Sequence, residues 1–393
     1  VRIVPLALLL AMLGSLTAAA EEEVAHEPKL LLTSKLSKRL TRDRERNTPR
    51  WLNFENRVKS VPDSPERGFE LALYFAITKD AARAHEAVAW ALGHPKETRQ
   101  RALVLDWCGE VATPEERAAL SADAPGAAVV TSFQGRRDCL FSHLASGRDA
   151  AVCSGRDLET ASLARDGAEL YAACEYFFVG RMSGEVDQRR QDPQFFQHLP
   201  VEFLLARKPQ ELERPDWLSH AAALALVTLD PNLEASQFLQ GWAVEDRHML
   251  HDGPGVAYEL LWADPYLPGI AYQNLDPWLY KLETATLFAR SDWNAEACWV
   301  SITTRGVEQQ GCPAGWDQQT VNFGSLKLVP AIGKCLEIAR QDIRASIVFW
   351  KLKPDEKLAY RESKDNKEVT ALADAAGMWH PGTNVEGRVC RAR

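Results

Sequence analysis

The chain has 393 residues, 46% of them hydrophobic and 25% charged, and a formal net charge of -8. This composition excludes a disordered chain and supplies a full core, for one large domain or two ordinary ones. The net negative charge argues against nucleic acid as the main partner. Toward an anionic polysaccharide it is neutral, because such sites use local Arg, Lys, His and amide groups rather than a basic whole.

Residues 1–20 carry one Arg, an apolar run from Ile3 to Leu13 and small residues up to Ala18–Ala20, and three glutamates follow. This is the layout of a cleavable secretory signal peptide, with an apolar core too short to span a bilayer comfortably. The expectation is an exported protein, secreted or periplasmic, with no membrane span after cleavage. Its eight cysteines form an even set, which an oxidising compartment allows to pair. Cys139 and Cys153 flank a polar loop, and Cys298, Cys312 and Cys335 share the later part of the chain; these are the plausible partners. Cys108 and Cys174 lie in apolar helical patterns and read as buried small hydrophobes.

A polar lead segment, 21–50, becomes basic and leucine-spaced between Lys29 and Arg50. It reads as a solvated amphipathic helix rather than as an arm for a polyanion. Helical hairpins follow over 51–285. Ser64, Pro65 and Glu66 predict a helix start, Asp80 a cap for the next helix, and Thr113 with Glu116 a capping box. Further apolar-striped helices run through the YAACEY, VEFLLA and HAAALALV stretches. Helical hairpins in succession predict an α/α toroid or bundle. Over 286–353 short β-branched and aromatic runs predict an antiparallel β region, and 354–393 reads as a charged tail. The fold class expected is therefore mainly α with a C-terminal β part: an incomplete toroid followed by a short antiparallel sheet.

The phrases TKDAARAHEAVAWAL, LVLDWC, YAACEY and ADPYLPGIAYQNLDPWLY, leading into LFARSDWNAEACWVSI, are similar to the heparinase II/III-like group of polysaccharide lyases. The clearest match is Phe288 to Trp293, at the entry to that family's β-sandwich. The resemblance implies a cleft between toroid and sheet and β-elimination of a uronate-containing polymer. That reaction needs neutralisation of the carboxylate, a base for the C5 proton and an acid for the leaving oxygen. Carried over by position, Tyr258 is the proton-transfer residue, Gln197 an amide donor and His198 the group beside the uronate acid. Glu202, one turn from His198 on the same helix face, orients it. The sequence departs from the family pattern in the β part, where residues 315–328 contain no His, so that either the toroid residues suffice or catalysis has been lost.

Each of these residues also has a plain structural explanation. His198 lies between apolar neighbours, and Tyr258 sits in an apolar VAYELLW run. Trp262, Tyr266, Tyr272, Trp278 and Tyr280 offer flat faces for sugar rings, with Asp264, Asn274, Asp276 and Arg290 to bond hydroxyls or a carboxylate. The same set serves equally as a seam between helical and β layers, with Arg290 and Asp292 paired. His248 and His251 have the spacing of a metal-binding pair, but no Glu lies between them and a helix-terminal His pair explains them too. No metal and no cofactor is expected. Two further readings stay open: a non-catalytic carbohydrate-binding protein, and a glycoside hydrolase using Asp252, Glu259 or Asp264.

Overall fold

The computed structural model describes residues 28–61, 63–122, 131–153, 163–184, 195–245, 253–281, 286–303 and 306–314, and the backbone of strands between 321 and 392. The helical part comprises α1 (Ser34–Glu45), α2 (Pro49–Ser60), α3 (Arg67–Thr78), α4 (Ala81–Gly93), α5 (Thr98–Cys108), α6 (Pro114–Ser121), α7 (Phe133–Ala145), α8 (Gly167–Ser183), α9 (Phe195–Ala206), α10 (Pro209–Glu213), α11 (Trp217–Leu229), α12 (Glu234–Val244) and α13 (Gly255–Trp262). None of the described helices is long and apolar enough to cross a membrane.

Short polar side chains start many of these helices. Thr33, Thr48, Asp80, Ser132, Asp166 and Asp216 each accept a main-chain N–H of the first turn, and Thr113 and Glu116 form the capping box read from the sequence. Such a cap is worth about 1 kcal/mol. At Ser64 the expectation needs correcting. Its hydroxyl accepts the Glu66 N–H at 3.2 Å in a turn, and α3 begins only at Arg67. The Ser64 hydroxyl is instead engaged by Arg57 and Glu70, and this local side-chain bonding competes with extension of the helix.

The helices pack as a ring. In turn α2, α3, α5, α7, α8, α11 and α13 each touch the next, and α13 returns to α2. Outside the ring, α4 covers α3 and α5, α12 covers α11, and α1 lies across α2, α3 and α13. Along α8 and α11 the contacts Gly167–Ser219, Cys174–Ala222 and Arg181–Leu229 advance together, so these two helices are parallel. Gly167 is required there, because a Cβ would stand 2.7 Å from the Ser219 nitrogen. The lead segment belongs to the same core: Leu30, Leu31, Leu36 and Leu40 are buried in it, and Asp106 accepts the main-chain N–H groups of Lys29 and Leu30.

After the ring, β1 (Trp278–Lys281), β2 (Thr286–Arg290), β3 (Trp299–Thr303) and β4 (Gly306–Gln310) form an antiparallel meander. It is fixed to the end of α9. The Arg290 guanidinium donates to Leu204 O at 3.1 Å and the Trp299 indole to Leu205 O at 2.8 Å, so two strand residues satisfy carbonyls that a helix C-terminus leaves free. A five-stranded antiparallel sheet combines β5 (Val321–Phe323), β6 (Leu326–Pro330), β7 (Cys335–Arg340), β8 (Ala345–Lys351) and β11 (Trp379–Val385). A third sheet joins β9 (Lys357–Arg361), β10 (Glu368–Leu372) and β12 (Arg391–Ala392). The charged tail expected over 354–393 thus contains strands. Its β-branched and aromatic residues are diluted by charge, and β11 pairs with β8 across a long stretch of chain, a contact invisible to local composition.

Among the described residues two disulfides, Cys139–Cys153 and Cys298–Cys312, lie one in each part. Cys108 and Cys174 are free and buried; burial pushes the Cys108 thiol up to about 12, as suits a packing residue.

Candidate functional site

At the centre of the ring lies a closed polar cluster. On α8, Tyr171 and Glu175 stand one turn apart, and the Tyr171 hydroxyl donates to Glu175 at 2.6 Å. Arg99, in the first turn of α5, grips the same carboxylate through Nε at 2.7 Å and Nη2 at 2.6 Å, and reaches Glu66 through Nη1 at 3.0 Å. Arg137 of α7 donates to Glu175 at 3.3 Å. Three rings surround Arg99: Phe69 at 4.9 Å, Tyr258 at 5.3 Å and Tyr171 at 5.6 Å from the guanidinium carbon. Trp217 stacks on Tyr258, and the Trp262 indole donates to the Tyr171 hydroxyl at 3.0 Å.

Glu175 is fully buried. Burial pushes its carboxyl up, but Arg99, Arg137 and the Tyr171 hydroxyl outweigh this and hold it below the usual range. Glu66 goes the other way: burial raises it against the pull of Arg99 and its hydrogen bond with Tyr258. Burial drives Tyr258 well above the ordinary phenol value although Arg99 opposes this. Tyr258 is therefore a neutral phenol, able to donate a proton and poorly suited to remove one.

A second cluster is open. Beneath α1 lies a cavity of about 530 Å³, walled by α1, the ends of α8 and α11 and the loop after α13. Lys35, Lys38, Arg39, Arg42, Arg46 and Arg50 line it, against only Asp43 and Asp264. The first five recur at the spacing of one helix face. Arg39 donates to the carbonyls of Leu260 and Leu261, and Arg50 to that of Ala263, so these two cap the C-terminus of α13. Burial lowers Arg39 to about 10, with Asp264 pulling it back up. Lys35, Lys38, Arg42 and Arg46 are exposed, and no carboxylate among the described residues pairs with them. Tyr266, also on this cavity, is 88% exposed.

The residues singled out by sequence divide between these places and elsewhere. Tyr258 and Trp262 join the buried centre. Tyr266 and Asp264 border the basic cavity, where Asp264 lies 3.9 Å from Arg39. His198 is exposed and Glu202 buried on α9, a helix that packs against α12, β1 and β2. No hydrogen bond or ring contact joins His198 to Tyr258 among the described residues. Tyr272 is buried edge-on to Trp293, Asn274 is exposed in a short turn and Trp278 is half-buried on β1. Arg290 is fully buried and bonds the main-chain oxygen of Asp292, not its carboxylate. Trp262, Tyr272, Glu202 and Arg290 are thus core residues: all four are buried, and Trp262, Tyr272 and Arg290 engage Tyr171, Trp293 and main-chain oxygens respectively. The side chains of Gln197 and Tyr280, and His248, His251 and Asp252, lie outside the described residues.

Sequence reasoning passed over Arg99 and Glu175, read Glu66 only as part of a helix start, and read the basic residues of α1 and its C-cap as a solvated helix rather than an arm for a polyanion. For α1 the signal was present, as cations at i, i+3, i+4, i+7 and i+11; for the buried cluster there was none, since its members come from separate helices. Compared with models of known protein families and with curated proteins, the chain matches none.

Proposed function

We propose that this protein binds an acidic polysaccharide in the cavity beneath α1. The observation that carries the reading is the row Lys35, Lys38, Arg42 and Arg46: four exposed cations without ion-pair partners among the described residues, on one wall of a cavity, in a chain of net charge -8. Exposed charges left unpaired on one face retain their full attraction for an anion. Tyr266 offers a flat face to a sugar ring, and Asp264 a hydroxyl acceptor. Carboxylates or sulfates along a polymer match a line of cations better than one compact anion does. An exported protein, secreted or periplasmic, would meet such polymers.

Affinity electrophoresis through gels holding heparan-type, alginate-type or pectin-type polymers tests this. Retardation by at least one acidic polymer, none by neutral dextran, and its loss in the Lys38→Glu/Arg42→Glu protein are the results expected. Equal retardation of variant and parent places binding elsewhere.

A second reading, β-elimination of the same polymer, rests on the buried Tyr258 hydroxyl beside Glu66 and Arg99, and requires the closed centre to open to the polymer. A neutral phenol coupled to a carboxylate is a plausible proton donor to a leaving oxygen. Elimination leaves a conjugated uronate, so ultraviolet absorbance should rise with the parent protein and stay flat with Tyr258→Phe. A flat trace from the parent leaves binding alone.

A further inference from the structure

We propose that Arg136 of α7 and Tyr176 of α8 bind the carboxylate of a small monoanion. Among the described residues six arginines are buried, Arg67, Arg99, Arg101, Arg136, Arg207 and Arg290. Five of them donate to a carboxylate or a main-chain oxygen, as Arg99 does to Glu175 and Arg290 to Leu204 O. Arg136 is the exception. It is 4% exposed, its Nε is sealed from solvent without an acceptor, and no carboxylate of the described residues forms an ion pair with it.

The acids of its own helix and of the helix beside it are engaged elsewhere. Asp138 pairs with Arg137, Glu175 is held by Arg99 and Arg137, and the Glu169 carboxylate accepts the Phe133 N–H at 2.7 Å where α7 begins. The Tyr176 hydroxyl is likewise buried without a hydrogen bond. Both residues flank one ring: Phe133 lies 6.0 Å from the Arg136 guanidinium carbon and 6.4 Å from the Tyr176 ring. Phe177 closes the group, 5.8 Å from Phe133 and 5.3 Å from Tyr176. Burial raises the Tyr176 phenol above its usual value, with Arg136 pulling the other way, so the hydroxyl keeps its proton and is a donor.

A guanidinium taken out of water without a partner is costly, and an anion that reaches it recovers that cost. Its planar fork of N–H groups matches the two oxygens of a carboxylate, and the Tyr176 O–H supplies a further donor. One cation among phenyl rings neutralises one negative charge and leaves a second uncompensated, which favours a monocarboxylate over phosphate. Nη1 and Nη2 are not among the sealed atoms, so the outer end of the guanidinium touches solvent. An opening of that size admits a small ion and excludes a polymer strand. Neither residue lines the cavity beneath α1, so the two sites are separate.

Thermal melts of the full chain in sodium acetate, against sodium chloride at equal ionic strength, test this, with line broadening of 13C-labelled acetate as the direct reading of binding. Acetate should give a saturable rise of about 2 °C over chloride, and Arg136→Met should abolish both the rise and the broadening. Tyr176→Phe should weaken acetate binding about fivefold, the worth of one hydrogen bond, and Lys38→Glu/Arg42→Glu should respond as the parent does. The proposal is overturned by a parent that shows no acetate-specific response, by an undiminished response in Arg136→Met, or by tighter binding of inorganic phosphate than of acetate. Loss of the response in Lys38→Glu/Arg42→Glu would place the ion at α1 and overturn it equally. Should Arg136→Met fail to fold, Tyr176→Phe decides, and unchanged acetate affinity there overturns the site.

Discussion

The charges around Glu175 and those along α1 differ in what surrounds them. Glu175 has no exposed surface, and three neighbouring donors, Arg99, Arg137 and Tyr171, close its oxygens. Lys35, Lys38, Arg42 and Arg46 stand in water, and no acid of the described residues forms an ion pair with them. A buried charge persists only when neighbours satisfy it, so the first set is spent on the fold. A solvated charge needs no partner, and a row of them on one wall is available to another molecule. Proximity to the ring axis thus marks charges spent on the fold, and unspent interaction capacity lies instead on the open face of α1.

The largest effect expected from breaking this comparison is on stability. Glu175→Ala leaves Arg99 and Arg137 buried without their shared carboxylate, which should cost roughly 3–5 kcal/mol, a large part of a typical domain's stability. Urea unfolding followed by tryptophan fluorescence measures it. Retention of the parent midpoint would mean that water reaches the centre and that the cluster is not closed.

Charge reversal on α1 should do the opposite. Lys38→Glu/Arg42→Glu touches no buried group, so stability should stay within about 0.5 kcal/mol. Affinity for the polymer should fall about tenfold or more, each tenfold being about 1.4 kcal/mol, with a shallower dependence on salt. A variant that binds normally but unfolds early would invert the two roles. Tyr266→Ala should weaken binding of an acidic oligosaccharide by about 0.5–1.5 kcal/mol in calorimetry and leave stability alone, because the ring is almost wholly in water.

Much of the helical part was legible in local sequence because its causes are local: Asp80, Thr113 and Glu116 cap where their side chains reach the next main-chain N–H groups. The exposure of Tyr266 was legible by the same logic, since it lies with Asp264 in a Pro- and Gly-rich turn that leaves Tyr266 exposed and Asp264 partly so. Arg290 was not. Nothing in the Arg-Ser-Asp-Trp phrase tells that its guanidinium will cap α9, a helix more than eighty residues away. Arg99 and Glu175 lie in apolar-striped helices 76 residues apart, and their pairing follows only from ring closure. The basic face of α1 was visible as spacing, but the wall opposite it, from Phe178 to Leu267, depends on where α8, α11 and α13 end.

The smallest effect separates the two carboxylates that share Arg99. Glu175 is held below its ordinary value, so its contribution is present above that value and lost as the pH falls through its lowered folded one. Glu66 is raised above the ordinary 4.5, so the folded state binds its proton more tightly than the unfolded chain does. Its contribution is fully present below 4.5 and disappears as the pH rises through its folded value. Glu66→Gln removes that titration while keeping an oxygen that can accept from Arg99. The variant should therefore lose less stability than the parent as the pH is raised from 4 toward neutrality, and thermal melts at intervals across that range measure the difference. Parallel curves would show that Glu66 is solvated like the α1 cations, moving it from the closed cluster to the open surface.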